Sequence, residues 1–241
     1  VEAHNNLGNT IRELGKLDEA VSSYRQAITL KADYAEAHSN LGIILQELGK
    51  FDEAEVRFRQ AIGLKPNFAE ALSNLGEALN EQGKLSQAEA SYRQAITLKP
   101  DFAEAHFNLG ITLKEQDRLD EAEACLRQTL AQNPDYTEAH NQLLDCLFLL
   151  DKKSVFLDEL DYCINQDKTS AIIGSLTSRS ALRYGLDRPN LFCSKPLDYV
   201  LHNDLNTLCD FEKIFIEKAK SILNEDRLSN RRQSLLINGN Q

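Results

Sequence analysis

The chain has 241 residues, of which 42% are hydrophobic, and a formal net charge of −10 at pH 7. An acidic chain is repelled by the phosphate backbone, so the composition argues against nucleic-acid binding. The sequence contains neither an apolar run of about eighteen residues, as a membrane-spanning helix needs, nor a charged-then-apolar leader. We therefore expect no nucleic-acid partner and no membrane partner.

The chain has five scattered cysteines, and none is in C-x-x-C spacing. This pattern is typical of free thiols in a reducing compartment and predicts a cytoplasmic location. The chain also lacks methionine and starts in phase with an internal repeat, so we expect a piece of a longer protein. The cysteines are Cys125, Cys146, Cys163, Cys193 and Cys209.

A 34-residue pattern occurs four times in succession, as repeats 1 to 4 (residues 1–34, 35–68, 69–102 and 103–136). A period of this length predicts a solenoid of helix pairs, in which each repeat contacts only its neighbours. The surface that such a stack creates, rather than a catalytic pocket, is then expected to carry the function.

Each repeat is predicted to form two helices. In repeat 2 the apolar residues from Ala37 to Leu48 recur at intervals of three and four, which indicates an amphipathic first helix. Gly49 breaks the pattern, a second helix is predicted to begin at Asp52, and Pro66 ends the repeat. Capping boxes are predicted at the helix starts, with a glutamate three residues after each cap. The predicted caps are Asp52, Asn67, Ser86, Asp101 and Asp120.

Small residues recur where the helices are expected to cross. Glycine in the middle of a helix costs up to about 1 kcal/mol relative to alanine, so its recurrence predicts a crossing with no room for a side chain. Alanine takes the matching place on the second helices, and aromatic rings are predicted to fill the larger holes between repeats. These residues are Gly8, Gly42, Gly76 and Gly110; Ala20, Ala54, Ala88 and Ala122; and Tyr24, Phe58 and Tyr92.

Leu-Gly at positions 7 and 8, alanine at 20 and 27, an aromatic residue at 24 and proline at 32 resemble the tetratricopeptide repeat (TPR). The repeat sequence is most similar to the repeats of the O-GlcNAc transferase superhelix. This resemblance implies an all-α fold, a right-handed α-solenoid of TPR helix pairs with a C-terminal helical segment.

The array is predicted to end in a degenerate fifth repeat, residues 137–167, that caps the stack. Residues 168–241 are predicted to be a helical linker, with a poorly ordered tail from Arg227. The stretch 171–241 resembles the segment that joins TPR arrays to 2-oxoglutarate/Fe(II) oxygenase domains in marine bacterial proteins. That resemblance implies that any iron ligands lie beyond the chain.

No catalytic residue, metal ligand or cofactor site is predicted, so the chain by itself is not expected to be an enzyme. His202-Asn203-Asp204 supplies two of the three ligand types of a non-haem iron site, but no second histidine follows it. The histidines at position 4 are one or two repeats apart, too far to share a metal, and packing or capping roles are predicted for them. They are His4, His38, His106 and His140.

Position 6 carries an asparagine in four successive repeats, and the first helices are expected to line the concave side. An amide both donates and accepts, so this ladder suits the backbone of an extended peptide. The O-GlcNAc transferase resemblance implies the same use. The alternative is that these amides bond neighbouring helices or only solvate a polar face. The ladder is Asn6, Asn40, Asn74 and Asn108.

Glutamates at position 2 are expected to make the groove acidic and to favour neutral or basic segments. Phe107 and Ile111 are predicted to form one apolar pocket, and Lys114 is a candidate contact. The glutamates assigned to the groove are Glu36, Glu70 and Glu104.

The sequence thus predicts a protein- or peptide-binding scaffold. The alternative is a substrate-recruiting arm of a larger modifying enzyme, an oxygenase or an O-glycosyltransferase, whose catalytic domain is absent. Self-association through the exposed end of repeat 1 is a further prediction.

Overall fold

The computed structural model describes residues 1–166 and 171–185. Within these ranges the chain forms eleven helices and no strand, so the fold is an all-α helical solenoid, as the sequence predicts. No helix in the described ranges is long and apolar enough to cross a membrane. The helices are α1 Glu2–Glu13, α2 Leu17–Leu30, α3 Ala35–Glu47, α4 Phe51–Leu64, α5 Ala69–Glu81, α6 Leu85–Leu98, α7 Ala103–Glu115, α8 Leu119–Gln132, α9 Thr137–Leu149, α10 Lys153–Asn165 and α11 Ala171–Tyr184.

The turn after each first helix contains one residue in the left-handed region. Glycine adopts this conformation without strain, and aspartate tolerates it better than most residues do. The turn residues recur every 34 places, including after α11. They are Gly15 (φ 75°), Gly49 (72°), Gly83 (72°), Asp117 (62°), Asp151 (56°) and Gly185 (63°).

Helix α11 follows the 34-residue spacing of the repeats, although the repeat motif is no longer recognisable from Lys168 onwards. It begins at Ala171, 34 residues after the start of α9 at Thr137, and it is followed by the left-handed Gly185. Ile173 and Ser180, at positions 3 and 10, are fully buried, like the residues at those positions in α3 and α5. By register, α11 therefore continues the 34-residue period of the preceding helix pairs.

The predicted capping boxes are wrong by one or two residues. The N-caps of α4 to α8 are Lys50, Phe68, Lys84, Phe102 and Arg118, and none of these helices has a side-chain hydrogen bond at its cap. Acidic residues such as Asp52 lie inside the first turn instead. There they stabilise the helix through its dipole, because negative charge is favoured at the N-terminus.

The mid-helix glycines contact the aromatic ring of their own repeat. A Cβ built on Gly8, Gly42 or Gly76 would lie 2.6 to 2.7 Å from a ring carbon. The predicted close crossing is therefore confirmed, and at it each ring packs against the glycine of its own repeat. That the rings also fill holes between repeats stays a prediction. In repeat 4 a leucine replaces the ring, and a Cβ on Gly110 would lie 3.1 Å from it.

Residues Val1–Cys146 form one compact part, in which α2, α4 and α6 each pack between their own first helix and the next one. The first helices α1, α3, α5 and α7 also contact one another in succession. The side that they share is called the first-helix face below.

A second compact part begins at Leu147. In it the rings of Phe148, Phe156 and Tyr184 lie with centroids 5.8 to 6.2 Å apart. The Arg183 guanidinium lies 4.7 Å above the Phe148 ring and pairs with Asp151 at 3.2 Å. These contacts fix α11 by cation–π and ionic interactions as well as by apolar burial.

Candidate functional site

The position-6 amides divide into one that links repeats and three that do not. Asn40 Nδ2 donates to Asn5 Oδ1 at 3.0 Å and to Asn9 Oδ1 at 3.3 Å, so this amide joins α3 to α1. The side chains of Asn6, Asn74 and Asn108 make no hydrogen bond within residues 1–166 and 171–185. Asn6 is exposed, whereas Asn74 and Asn108 are half-buried on adjacent repeats.

The side chain at position 12 of α1, α3, α5 and α7 contacts the next repeat, which the sequence pattern does not show. Arg12 Nε donates to Glu47 Oε1 at 2.9 Å. The equivalent Gln46 lies near the Glu77 carboxylate and lowers its pKa. Thr112 Oγ1 donates to the equivalent Asn80 at 3.3 Å. The polar residue at position 12 was the available signal, but its partners lie in another repeat.

Lys114 occupies position 12 of repeat 4 and is already paired. Its Nζ donates to Gln142 Oε1 at 2.9 Å and to the Asp145 carboxylate. This side chain, predicted to contact a ligand, therefore holds α7 to α9, and its charge is balanced within the fold.

Two of the predicted groove glutamates are also paired with lysines. Glu36 accepts from Lys65 Nζ at 3.0 Å, and Glu70 accepts from Lys99 Nζ at 3.4 Å. The bond from Lys65 lowers the pKa of Glu36. Glu104 has no such partner, because Asn133 stands where repeats 2 and 3 have lysine.

Repeats 3 and 4 carry an acidic cluster, which consists of Glu77, Glu81, Glu104 and Glu115. Desolvation raises the pKa of Glu77 although the residue as a whole is exposed, and the charges of Glu104 and Glu81 raise it further. Desolvation likewise raises the pKa of Glu115, with a contribution from Glu81. Glu77 is therefore repelled by Glu104 and Glu81, and Glu115 by Glu81.

The predicted apolar pocket around Phe107 is an aromatic pair. The Phe107 and Tyr136 rings have centroids 4.8 Å apart at an interplanar angle of 31°. Phe107 and Ile111 are both half-buried on α7. Desolvation raises the pKa of Tyr136, with Glu104 the next contributor, so the ring pair lies at the edge of the acidic cluster.

The position-4 histidines hold the loops between repeats. The Nε2 atoms of His38, His106 and His140 lie 2.8 to 3.0 Å from the carbonyl oxygens of Ala32, Pro100 and Pro134. Since a carbonyl only accepts, each Nε2 is the donor. This arrangement agrees with the predicted packing role.

The open side of repeat 1 exposes apolar residues that are covered elsewhere. Leu7 is 48% exposed, whereas Leu41 at the same position of repeat 2 is fully buried. Self-association through this side stays a prediction. His202-Asn203-Asp204 and nearly all of the segment that resembles an oxygenase linker lie outside the described residues.

Three solved structures show the same fold. PilF of Pseudomonas aeruginosa superposes with a TM-score of 0.69 at 22% identity, covering 76% of this chain and 84% of that one. YrrB, described as a TPR protein with an unusual peptide-binding site, gives 0.62 at 20% identity, covering 73% and 90%. MamA of Desulfovibrio magneticus RS-1 gives 0.64 at 17% identity, covering 70% and 96%.

Family models match the repeats directly, whereas no curated protein matches the chain. The TPR repeat model matches residues 8–49, 44–83 and 76–117, and the tetratricopeptide repeat model matches residues 103–136. Together these matches span more than half of the sequence, so the chain belongs to the tetratricopeptide repeat family.

Proposed function

We propose that this chain is a scaffold that binds an extended segment of a partner protein along its first-helix face. The observation that carries the proposal is the pair of half-buried amides on Asn74 and Asn108, which occupy the same position of adjacent repeats and have no partner in the described part of the chain. Each amide offers two donors and one acceptor oxygen, which suits a backbone peptide group.

The electrostatics of this face favour neutral or basic segments. Glu104 and Glu81 have no cationic partner within the described residues, and Lys114 is paired with Asp145. An acidic segment would therefore be repelled. The likeness to YrrB, whose structure is described as having a peptide-binding site, supports the same kind of ligand.

The test is selection from a displayed library of random dodecapeptides, followed by affinity measurement with the enriched peptides. Asn74→Ala/Asn108→Ala is expected to weaken binding at least about tenfold, because each lost hydrogen bond contributes about 0.5–1.5 kcal/mol. The matched control is Gln94→Ala/Gln128→Ala, which removes two exposed amides from the second helices of the same repeats.

Two results would contradict the proposal. One is a selection that enriches no peptide. The other is an enriched peptide that binds the asparagine variant and the parent chain equally, with both proteins folded by circular dichroism. Asn40→Ala is excluded from the test variant because this amide links α1 to α3.

A further inference from the structure

Two tyrosines occupy the same position of repeats 1 and 3, but their hydroxyl groups differ. Tyr24 Oη donates to Asn9 Oδ1 at 2.7 Å. In repeat 3 the residue equivalent to Asn9 is Glu77, and Tyr92 makes no side-chain hydrogen bond within the described ranges. The Tyr92 side chain is only 1% exposed. A hydroxyl on so deeply buried a residue ordinarily has a partner.

The Tyr92 ring is held in one orientation by Gly76. A Cβ at Gly76 would lie 2.7 Å from Cε1 and 2.8 Å from Cζ, so the ring passes directly against the α5 backbone. By register its hydroxyl corresponds to that of Tyr24, which lies 2.7 Å from Asn9 Oδ1, and Glu77 of the acidic cluster takes the place of Asn9. Burial raises the pKa of Tyr92, and the next contributions come from Glu77, Glu104, Glu115 and Glu81.

The charge of this cluster is only partly balanced by the fold. Gln46 lowers the pKa of Glu77, and Asn80 and Lys114 lower the pKa of Glu115, whereas Glu81 and Glu104 form no ion pair within the described residues. The carboxylates of repeats 1 and 2 are treated differently, since Glu47 pairs with Arg12 and Glu36 pairs with Lys65. An external cation would relieve the mutual repulsion that the cluster retains.

We propose that Tyr92 and the acidic cluster form a subsite for one lysine or arginine side chain of the bound segment. The ammonium or guanidinium group would donate to the carboxylates of Glu104 and Glu81 and to the Tyr92 oxygen. The neighbouring rings of Phe107 and Tyr136 would cover the aliphatic stem of that side chain. This inference rests on the proposed function, because it names the chemistry that the first-helix face selects.

The same peptide selection tests the subsite. The enriched dodecapeptides are expected to share a lysine or arginine at one fixed position, and its replacement by alanine should weaken binding at least about tenfold. Glu81→Gln/Glu104→Gln should cause a similar loss. The matched control Glu2→Gln/Glu13→Gln makes the same charge change at the same two positions of repeat 1 and should change affinity less than about twofold.

The failures of the two proposals are distinguishable. Peptides that depend on Asn74 and Asn108 but show no basic residue, or that bind Glu81→Gln/Glu104→Gln normally, would overturn the subsite and leave the scaffold function standing. A selection without enriched peptides would overturn both. Tyr92→Phe adds a readout that packing alone does not move, because phenylalanine occupies this position in repeat 2 as Phe58. It should weaken the basic peptide and leave its alanine-substituted form unaffected.

Discussion

Gly76 and Tyr92 are packed so closely that a methyl group on the glycine would lie 2.7 Å from the ring. The ring cannot withdraw, because it is 1% exposed and enclosed by the repeat. One glycine therefore fixes both the spacing of α5 and α6 and the direction of the tyrosine hydroxyl.

Gly76→Ala is expected to lower the free energy of unfolding by about 1–3 kcal/mol, the usual effect of overpacking. This loss should exceed the gain of up to about 1 kcal/mol from the helix propensity of alanine. Gly110→Ala is the control, because a Cβ there meets the flexible side chain of Leu126 at 3.1 Å and the Ala122 carbonyl oxygen at 3.4 Å, and it should cost less stability than Gly76→Ala. Urea unfolding followed by circular dichroism measures both, and equal losses would contradict the argument.

Asn40→Ala should lower the free energy of unfolding by about 0.5–1.5 kcal/mol. It removes the donor to Asn5, which is 6% exposed and cannot easily bond water instead. Asn74→Ala should change stability by less than about 0.5 kcal/mol, since its amide has no partner in the described residues. Thermal unfolding of the two variants compares them, and a larger loss for Asn74→Ala would favour a packing role for the whole ladder.

Tyr24→Phe should destabilise the chain by about 1 kcal/mol, because it breaks the bond to Asn9. Tyr92→Phe should cost less, since the hydroxyl that it removes makes no hydrogen bond in the described part of the chain. Both variants keep the ring against its glycine. Chemical denaturation measures the difference, and similar losses would mean that the Tyr92 hydroxyl has a structural partner.

Glu77 should make stability depend on pH in the direction opposite to most carboxylates. Its pKa in the folded state is raised above the ordinary 4.5, so the ionised form is less favourable in the folded chain than in the unfolded chain. The ionised carboxylate therefore lowers the free energy of unfolding, and this effect is complete above the folded-state pKa. Glu77→Gln should therefore be more stable than the parent at pH 7, by less than about 1 kcal/mol for so exposed a residue. The difference should vanish as pH falls below 4.5.

Glu36→Gln is the opposite control. The pKa of Glu36 is lowered by Lys65, so its contribution is present above 4.5 and is lost as pH falls through the folded value. This variant should be less stable than the parent at pH 7. Thermal unfolding at a series of pH values measures both, and shifts of the same sign would contradict the assignments.

The fold was predictable because packing residues repeat at a fixed period. Gly42 and Phe58 are paired by their positions in a helix pair, so the close crossing follows from the pattern. Helix starts were less accurate, since Asp52 satisfies the sequence rule for a cap but lies two residues after the N-cap Lys50. Its charge is equally favourable inside the first turn, and the pattern does not separate the two places.

The site was only partly predictable, because its polar contacts cross repeat boundaries. Asn40 and Asn74 both occupy position 6, but only Asn40 links two repeats. The difference lies in the residues that the preceding repeat places beside each amide. For Asn40 that partner includes Asn9, and for Asn74 the equivalent residue is Ile43. Likewise, the sequence predicts that Lys114 is available to a ligand, because its partner Asp145 lies in the next repeat.

The cross-repeat links at position 12 have a consequence for the order of the repeats. The apolar core is nearly the same in repeats 1 to 3 and would accept a neighbouring repeat displaced by 34 residues. The position-12 contacts differ at each boundary: arginine with glutamate, glutamine with glutamate, asparagine with threonine, and lysine with aspartate. If a repeat packed against the wrong neighbour, its position-12 side chain would face a group that it does not match. The polar contacts therefore disfavour wrong repeat order, which the apolar core alone does not prevent.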